Sequence, residues 1–156
     1  MRTFTIPAPL KAEHDELHEQ LVRATREPGA VGEAAREVAR RLHPHFFKEE
    51  QYALPPLALL VELASGKVTP DMAEVLPMTS RLAAALGDML AEHRDIVAAL
   101  DLLRAAAQDA GRAEYVRFAE ALVLHARNEE EVLYPAALLV GAHVAAQLGR
   151  DRAKAA

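Results

Sequence analysis

The sequence contains no cysteine and no tryptophan, and aromatic residues make up only 4% of its 156 residues. Without Cys there is no disulfide, no thiolate nucleophile, no iron–sulfur cluster and no Cys-based zinc site. Scarce aromatics in an Ala- and Leu-rich chain disfavour a β-sandwich and favour helices. Positive charge is in deficit: 18 Lys and Arg stand against 23 Asp and Glu, a net charge of −5. That is not the footprint of a nucleic-acid or anionic-membrane binder. Long apolar runs are missing too. Leu54–Ala64 is too short to span a bilayer, and Val132–Leu148 is broken by Pro135, Gly141 and His143 and falls short of the roughly 20 residues needed. The N-terminus has no apolar stretch of the kind an export signal carries. The expectation is a soluble, cytoplasmic protein with no nucleic-acid or membrane partner, forming one domain over residues 1–156.

What the chain does have is helical periodicity and seven His, its only strong nitrogen ligands. Pro and Gly punctuate four long segments. The first runs from about Leu10 to Glu27 and stops at Pro28-Gly29. The second runs from about Val31 to Ala53 and is interrupted by Pro55-Pro56. The third runs from about Met78 to Ala110, closed by Gly111, and the fourth from about Arg112 to Tyr134, stopped by Pro135. Shorter helical pieces are predicted at Leu57–Ala64, after Thr69-Pro70-Asp71 and at Ala136–Leu148; they could cap the bundle or form a homodimer contact. No window alternates as a strand does.

Each long segment carries one apolar stripe at steps of three and four. The stripes read Leu10, His14, Leu17, Leu21; Val31, Ala35, Val38, Leu42, His45, Glu49, Tyr52; Leu82, Leu86, Met89, His93, Ile96, Leu100, Leu103; and Tyr115, Ala119, Leu122, His125, Glu129, Val132. Four amphipathic helices joined by short turns predict an all-α, up-down-up-down four-helix bundle with short additional helices, its core over about residues 10–135.

Six ligand-type residues, His14, His45, Glu49, His93, His125 and Glu129, lie on stripes that should be buried. A single His on an apolar face is ordinarily a hydrogen-bonded core residue. Here every stripe has one, and two stripes have His-x-x-x-Glu, a spacing that puts both side chains on one face. Two buried carboxylates would be unsustainable without compensation. Depth along the bundle agrees. His14 lies fifteen residues before Gly29 and His45 sixteen after it; His93 lies eighteen before Gly111, and His125 and Glu129 lie fourteen and eighteen after it. At about 1.5 Å per residue, all six can meet in one layer.

The halves also repeat. Glu13-His14-Asp15-Glu16-Leu17 parallels Glu92-His93-Arg94-Asp95-Ile96, and His45-x-x-x-Glu49-Glu50 with Pro55 parallels His125-x-x-x-Glu129-Glu130 with Pro135. Four imidazoles and two carboxylates suit two metals, each Glu bridging and each metal keeping terminal His.

These segments, EHDELH at 13–18, HFFKEEQYALP at 45–55, EHRDI at 92–96 and HARNEEEVLYP at 125–135, resemble the hemerythrin-like, or HHE cation-binding, family. The resemblance covers about residues 10–135. It implies a non-heme di-iron centre of two iron ions bridged by carboxylates and an oxo or hydroxo group. His14, His45, His93 and His125 would be terminal ligands, and Glu49 and Glu129 bridges. It also implies O2 binding, oxygen or iron sensing, or handling of small oxidants such as NO and peroxide, the alternative being a redox enzyme or an iron donor. Other divalent metals could replace iron during purification. The chain departs from the O2-carrying members at Val97, where they have a second His, and at Glu129, a Glu at His+4 where they have an Asp at His+5.

Several residues stay open on sequence alone. His18, one turn after His14, is either an extra ligand that makes the metal beside the first two helices richer in His, or an exposed residue beside the stripe. His43 and His143 read as surface residues. Glu50 and Glu130 read either as partners of the ligands or as solvated, with the solvated reading preferred, and Tyr52 and Tyr134 either as hydrogen-bonding a bound ligand or as packing, with packing preferred. Leu17, Phe46, Ile96, Val97 and Leu122 are expected to wall the site, and Pro44 to kink the second helix.

Overall fold

The computed structural model describes residues 3–155. Every regular element among them is helical. Helices α1 (Ala8–Thr25), α2 (Gly29–Lys48), α4 (Leu76–Asp109) and α5 (Ala113–Asn128) are the bundle members. A short α3 (Leu60–Ala64) lies between two 3-10 turns, Pro55–Leu59 and Pro70–Val75, and α6 (Tyr134–Ala155) closes the chain. Contacts run α1 to α2, α2 to α4, α4 to α5 and α5 back to α1, the closed ring of a four-helix bundle. Gly29 and Gly111, both at φ 67°, turn the two hairpins in a conformation that residues with a Cβ rarely adopt. At that end Arg112 and Tyr115 both bond the Glu27 carboxylate, tying one hairpin turn to the other.

The expected stripes are the buried faces, and they stack into layers. Nearest the turns, Leu17, Leu21, Val38, Leu42, Phe46, Ile96, Leu100, Phe118 and Leu122 form one apolar cluster. Beyond it, Tyr52, Leu54, Leu57, Leu82, Met89 and Tyr134 form a second. His93 falls between Met89 of the second and Ile96 of the first, and His45 between Leu42 of the first and Tyr52 of the second. The polar layer is therefore enclosed by apolar ones on both sides. A third cluster of Phe4, Leu59, Met72, Val75, Val140 and Val144 seals the far end. The segments left open between capping and dimer contact thus cap the bundle through these buried residues, while Leu60, Val61 and Leu139 remain exposed.

Two expectations need correction. Pro135 does not stop the fourth helix, and Ala136–Leu148 is not a separate helix. The chain passes from α5 through a π-turn, Glu129–Leu133, directly into α6. A π-turn fits one extra residue into a turn, and this one closes with the Tyr134 N–H on the Glu129 carbonyl. The widened turn makes room for the Pro135 ring, which would clash with an α-helical carbonyl four residues back. It also rotates the stripe. Val132, expected inside, is 54% exposed, and Tyr134 is fully buried in its place. A matching π-turn, Glu49–Ala53, closes with the Leu54 N–H on the Glu49 carbonyl. There a second proline, Pro56, stands where the other half has Ala136, and the chain leaves the helix. Uncut at Pro135, the run Ala113–Arg150 is 38 residues and by length and composition alone could cross a membrane. It also carries His125 and Glu129 into the bundle interior. Pro44 lies inside α2, which continues through it.

Candidate metal centre

All six stripe ligands meet in one layer, each at most 3% exposed. They form two groups of four, within each of which the ligand atoms lie within 4.8 Å of one another: His14, Glu49, His125 and Glu129, and His45, Glu49, His93 and Glu129. Glu49 and Glu129 belong to both. Every imidazole turns Nε2 inward. His14 Nε2 is 3.4 Å from Glu129 Oε1, and His125 Nε2 is 2.9 Å from the same oxygen. His45 Nε2 is 3.1 Å from Glu49 Oε1, and His93 Nε2 is 3.3 Å from Glu129 Oε2. The two groups do not follow the hairpins: His14 of α1 joins His125 of α5, and His45 of α2 joins His93 of α4.

Donor chemistry and orphaned atoms both fit a cation. Glu49 Oε2 and His125 Nε2 are buried with no hydrogen-bond partner, a cost that a metal bound between them would remove. Imidazole nitrogen and carboxylate oxygen suit first-row divalent ions.

The family model for the hemerythrin HHE cation-binding domain matches residues 5–137, with a further match over 84–155. The chain belongs to the hemerythrin HHE cation-binding family. No curated protein matches it, and neither does any solved structure. Membership in this family implies metal-ion binding, and the two buried His/Glu groups are where this HHE domain could hold a metal.

Around the layer the HHE domain has a second set of carboxylates that the stripe pattern does not single out. His45 Nδ1 is hydrogen-bonded to Glu92 at 2.7 Å, and His93 Nδ1 to Glu130 at 2.9 Å. His125 Nδ1 lies 3.0 Å from Glu13, and His14 Nδ1 3.4 Å from Glu50, close but without hydrogen-bond alignment. Of the two readings open for Glu50 and Glu130, the geometry matches that of partners to the imidazoles rather than the preferred solvated one. Glu13 and Glu92 had a signal in the repeated Glu-His pair. A carboxylate accepting from Nδ1–H holds the tautomer that leaves Nε2 free to bind a metal.

Tyr134, for which packing is the preferred reading over a hydrogen-bonding role, reaches the second group. Its phenol donates to Glu49 Oε1 and lies 3.3 Å from His45 Nε2 and 3.2 Å from His93 Nε2. The equivalent residue of the other half is Leu54, so only one of the two positions has a hydroxyl beside it. Tyr52 does not reach the layer; its hydroxyl faces Met89 Sδ at 3.6 Å.

His18 stands apart. It is exposed, belongs to neither group, and packs its ring against that of His43 with centroids 5.0 Å apart. The expectation of a His-rich metal beside the first two helices does not match the geometry, which gives each group two His drawn from different hairpins. His43 and His143 are exposed as expected.

Charge explains how such a layer stays folded. Burial works against the charged form of His93, but hydrogen bonds to Glu129 and Glu49 outweigh it and push its pKa up to about 10. For His125 burial again opposes, and Glu129 with Glu13 raises it to about 9. His45 shifts upward for the same reasons, through Glu49 and Glu92. Glu129 is held well below the usual carboxylate range: burial opposes this, and the close imidazoles of His125, His14 and His93 prevail. Burial and the neighbouring carboxylates push the Tyr134 phenol far above its ordinary value. The layer attracts positive charge at its centre, which protons supply when no metal does.

Proposed function

We propose that the protein is a non-heme di-iron protein that binds or senses O2 or a related small oxidant such as NO or peroxide. His14 and His125 would hold one iron, His45 and His93 the other, with Glu49 and Glu129 bridging both. The observation that carries this reading is that each four-residue group contains the same two carboxylates, which is the requirement for two ions sharing bridges. When bound, the iron pair supplies the electrons and the open coordination positions for a small oxidant. The protein's own part is orientation and exclusion of water. Glu13, Glu50, Glu92 and Glu130 aim the imidazoles, and Leu17, Phe46, Ile96 and Leu122 wall the layer on the turn side. Val97 stands where O2 carriers have a further His, so the His45/His93 position would have one ligand fewer than theirs.

A redox enzyme on the same centre is the second reading, and Tyr134 favours it, because a buried phenol that keeps its proton beside one metal position could donate a hydrogen bond to a small oxidant there. Iron-replete expression, metal analysis and absorption spectra before and after air exposure decide between them. Two irons per chain with a reversible oxygen-dependent band support binding. Turnover of NO or peroxide supports the enzyme. Unchanged metal content in a His93→Ala/Glu129→Ala variant would overturn the centre itself.

A further inference from the structure

Two cavities flank the ligand layer, and the internal duplication relates them. One, of about 380 Å3, is lined by His14, His18, His43, Phe46 and Glu50 together with Lys11 and others from α1 and α2. The other, of about 280 Å3, is lined by His93, Val97, Val123, Ala126 and Glu130 together with α4 and α5 neighbours. His14 corresponds to His93 and Glu50 to Glu130, so each cavity has a layer imidazole and its orienting carboxylate in its wall. The outer positions differ. Where the second cavity has Val97 and Val123, the first has His18 and His43. The linings differ elsewhere too, with Asp15, Phe46 and Phe47 in the first against Arg94, Ala126 and Arg127 in the second, but the pair of imidazoles against a pair of valines is the difference in metal-binding donors.

We infer that His18 and His43 form a surface site for a divalent transition-metal cation, which captures the ion before it passes through the shared cavity to the buried layer. The two rings lie with centroids 5.0 Å apart. The rings of His14 and His125, members of one buried group, also lie 5.0 Å apart. Two imidazoles sharing one tetrahedral ion at about 2.0–2.1 Å per nitrogen have centroids roughly 5 Å apart. Both residues are exposed, so water completes the coordination and release stays easy. His14, 1% exposed, forms the inner wall, and Phe46 stacks on it at 4.1 Å. A cation therefore meets an imidazole pair at the rim and a layer imidazole inside, whereas the other cavity has valines in place of that pair, with Arg94 and Arg127 beside Glu130 in its lining. Of the acidic residues in the lining, Asp15 is paired with Lys11, and Glu50 lies 3.5 Å from Lys11 Nζ and 3.4 Å from His14 Nδ1, so the two imidazoles are the donors at the rim without an ion-pair partner.

Delivery rests on the buried-centre reading; the surface site does not. The test compares the full chain with its His18→Ala/His43→Ala variant. Zinc is titrated by calorimetry into protein whose buried layer is already loaded, and the rate of ferrous-iron uptake is followed after stripping with chelator. The wild type should bind one further zinc that the variant lacks, and the variant should fill its buried layer more slowly to the same final content. In parallel, substoichiometric nickel should broaden first those imidazole NMR signals of the wild type that are missing from the variant. A further zinc that survives the double substitution, nickel broadening that falls elsewhere, or uptake at the wild-type rate overturns the proposal. A single ion in the wild type that vanishes from the variant would overturn the buried centre instead, and delivery with it.

Discussion

Four glutamates outside the ligand layer, Glu13, Glu50, Glu92 and Glu130, each face one imidazole Nδ1, and each does so from a different helix than the ring it faces. Removing such a carboxylate leaves the ring free to turn and to change tautomer. Glu92→Ala and Glu130→Ala, which break aligned hydrogen bonds at 2.7 and 2.9 Å, should each lower metal affinity by about 10–100-fold, as read by competition with a chelator. Glu13→Ala and Glu50→Ala, which lose unaligned contacts, should cost less. Tyr134→Phe should leave metal content intact and shift the absorption of the iron-loaded protein, since only one position has the phenol beside it. An unchanged spectrum would show that the hydroxyl plays no part. At this scale the ligands are legible in the sequence because six ligand-type side chains break apolar stripes at helical spacing. Their carboxylate partners are not, because a Glu beside the stripe looks the same whether it meets water or the ring of a neighbouring helix. Tyr134 passes for packing because its distance from Glu129 in sequence does not reveal the turn between them.

At the scale of elements, the two π-turns decide which side chains enter the site. Each begins at a layer carboxylate and is closed by a bond to that residue's own carbonyl. Such a turn has no compositional signature, so an unbroken α-helical period places Val132 inside. The same period correctly places the stripes of α1, α2 and α4, where no extra residue intervenes before the ligands. The packing of α6 on α4 depends on a glycine. A Cβ at Gly141 would lie 2.3 Å from Thr79 Oγ1, whereas one at Gly87, inside α4, meets nothing within 4 Å. Gly141→Ala should therefore destabilise the protein by about 1–3 kcal/mol. Gly87→Ala should stabilise it by about 0.4–1 kcal/mol through the unfolded chain. Chemical denaturation of both variants checks the pair, and equal effects would contradict the close approach of the two helices.

For the whole molecule, the concentration of buried charge predicts how stability varies with pH. In the metal-free protein His93 and His125 titrate near 10 and 9, above the ordinary 6.5. Their stabilising contribution is complete below about pH 6.5 and is lost as pH rises through 9 to 10. Glu129 titrates below the ordinary 4.5, so its contribution is present above that pH and lost on acidification. The metal-free protein should be most stable between about pH 4.5 and 6.5, and its melting temperature should fall towards pH 10. A bound metal replaces the protons on Nε2, so the loaded protein should not show the alkaline fall. Metal uptake at neutral pH should release protons. Thermal melts across pH, with and without metal, check the first expectation, and uptake in weak buffer checks the second.

The sequence by itself determined that this chain is helical, that it folds into two similar hairpins and that four His and two Glu lie on buried faces. Periodicity is a local property, and turn residues mark hairpin ends wherever they occur. Tertiary structure alone decided the rest: that His14 joins His125 and His45 joins His93, and that Tyr134 enters the layer while His18 faces His43 at the surface. Those outcomes depend on which helices lie side by side and on how far a π-turn rotates the residues after it, and neither is written in the spacing of residues along one helix.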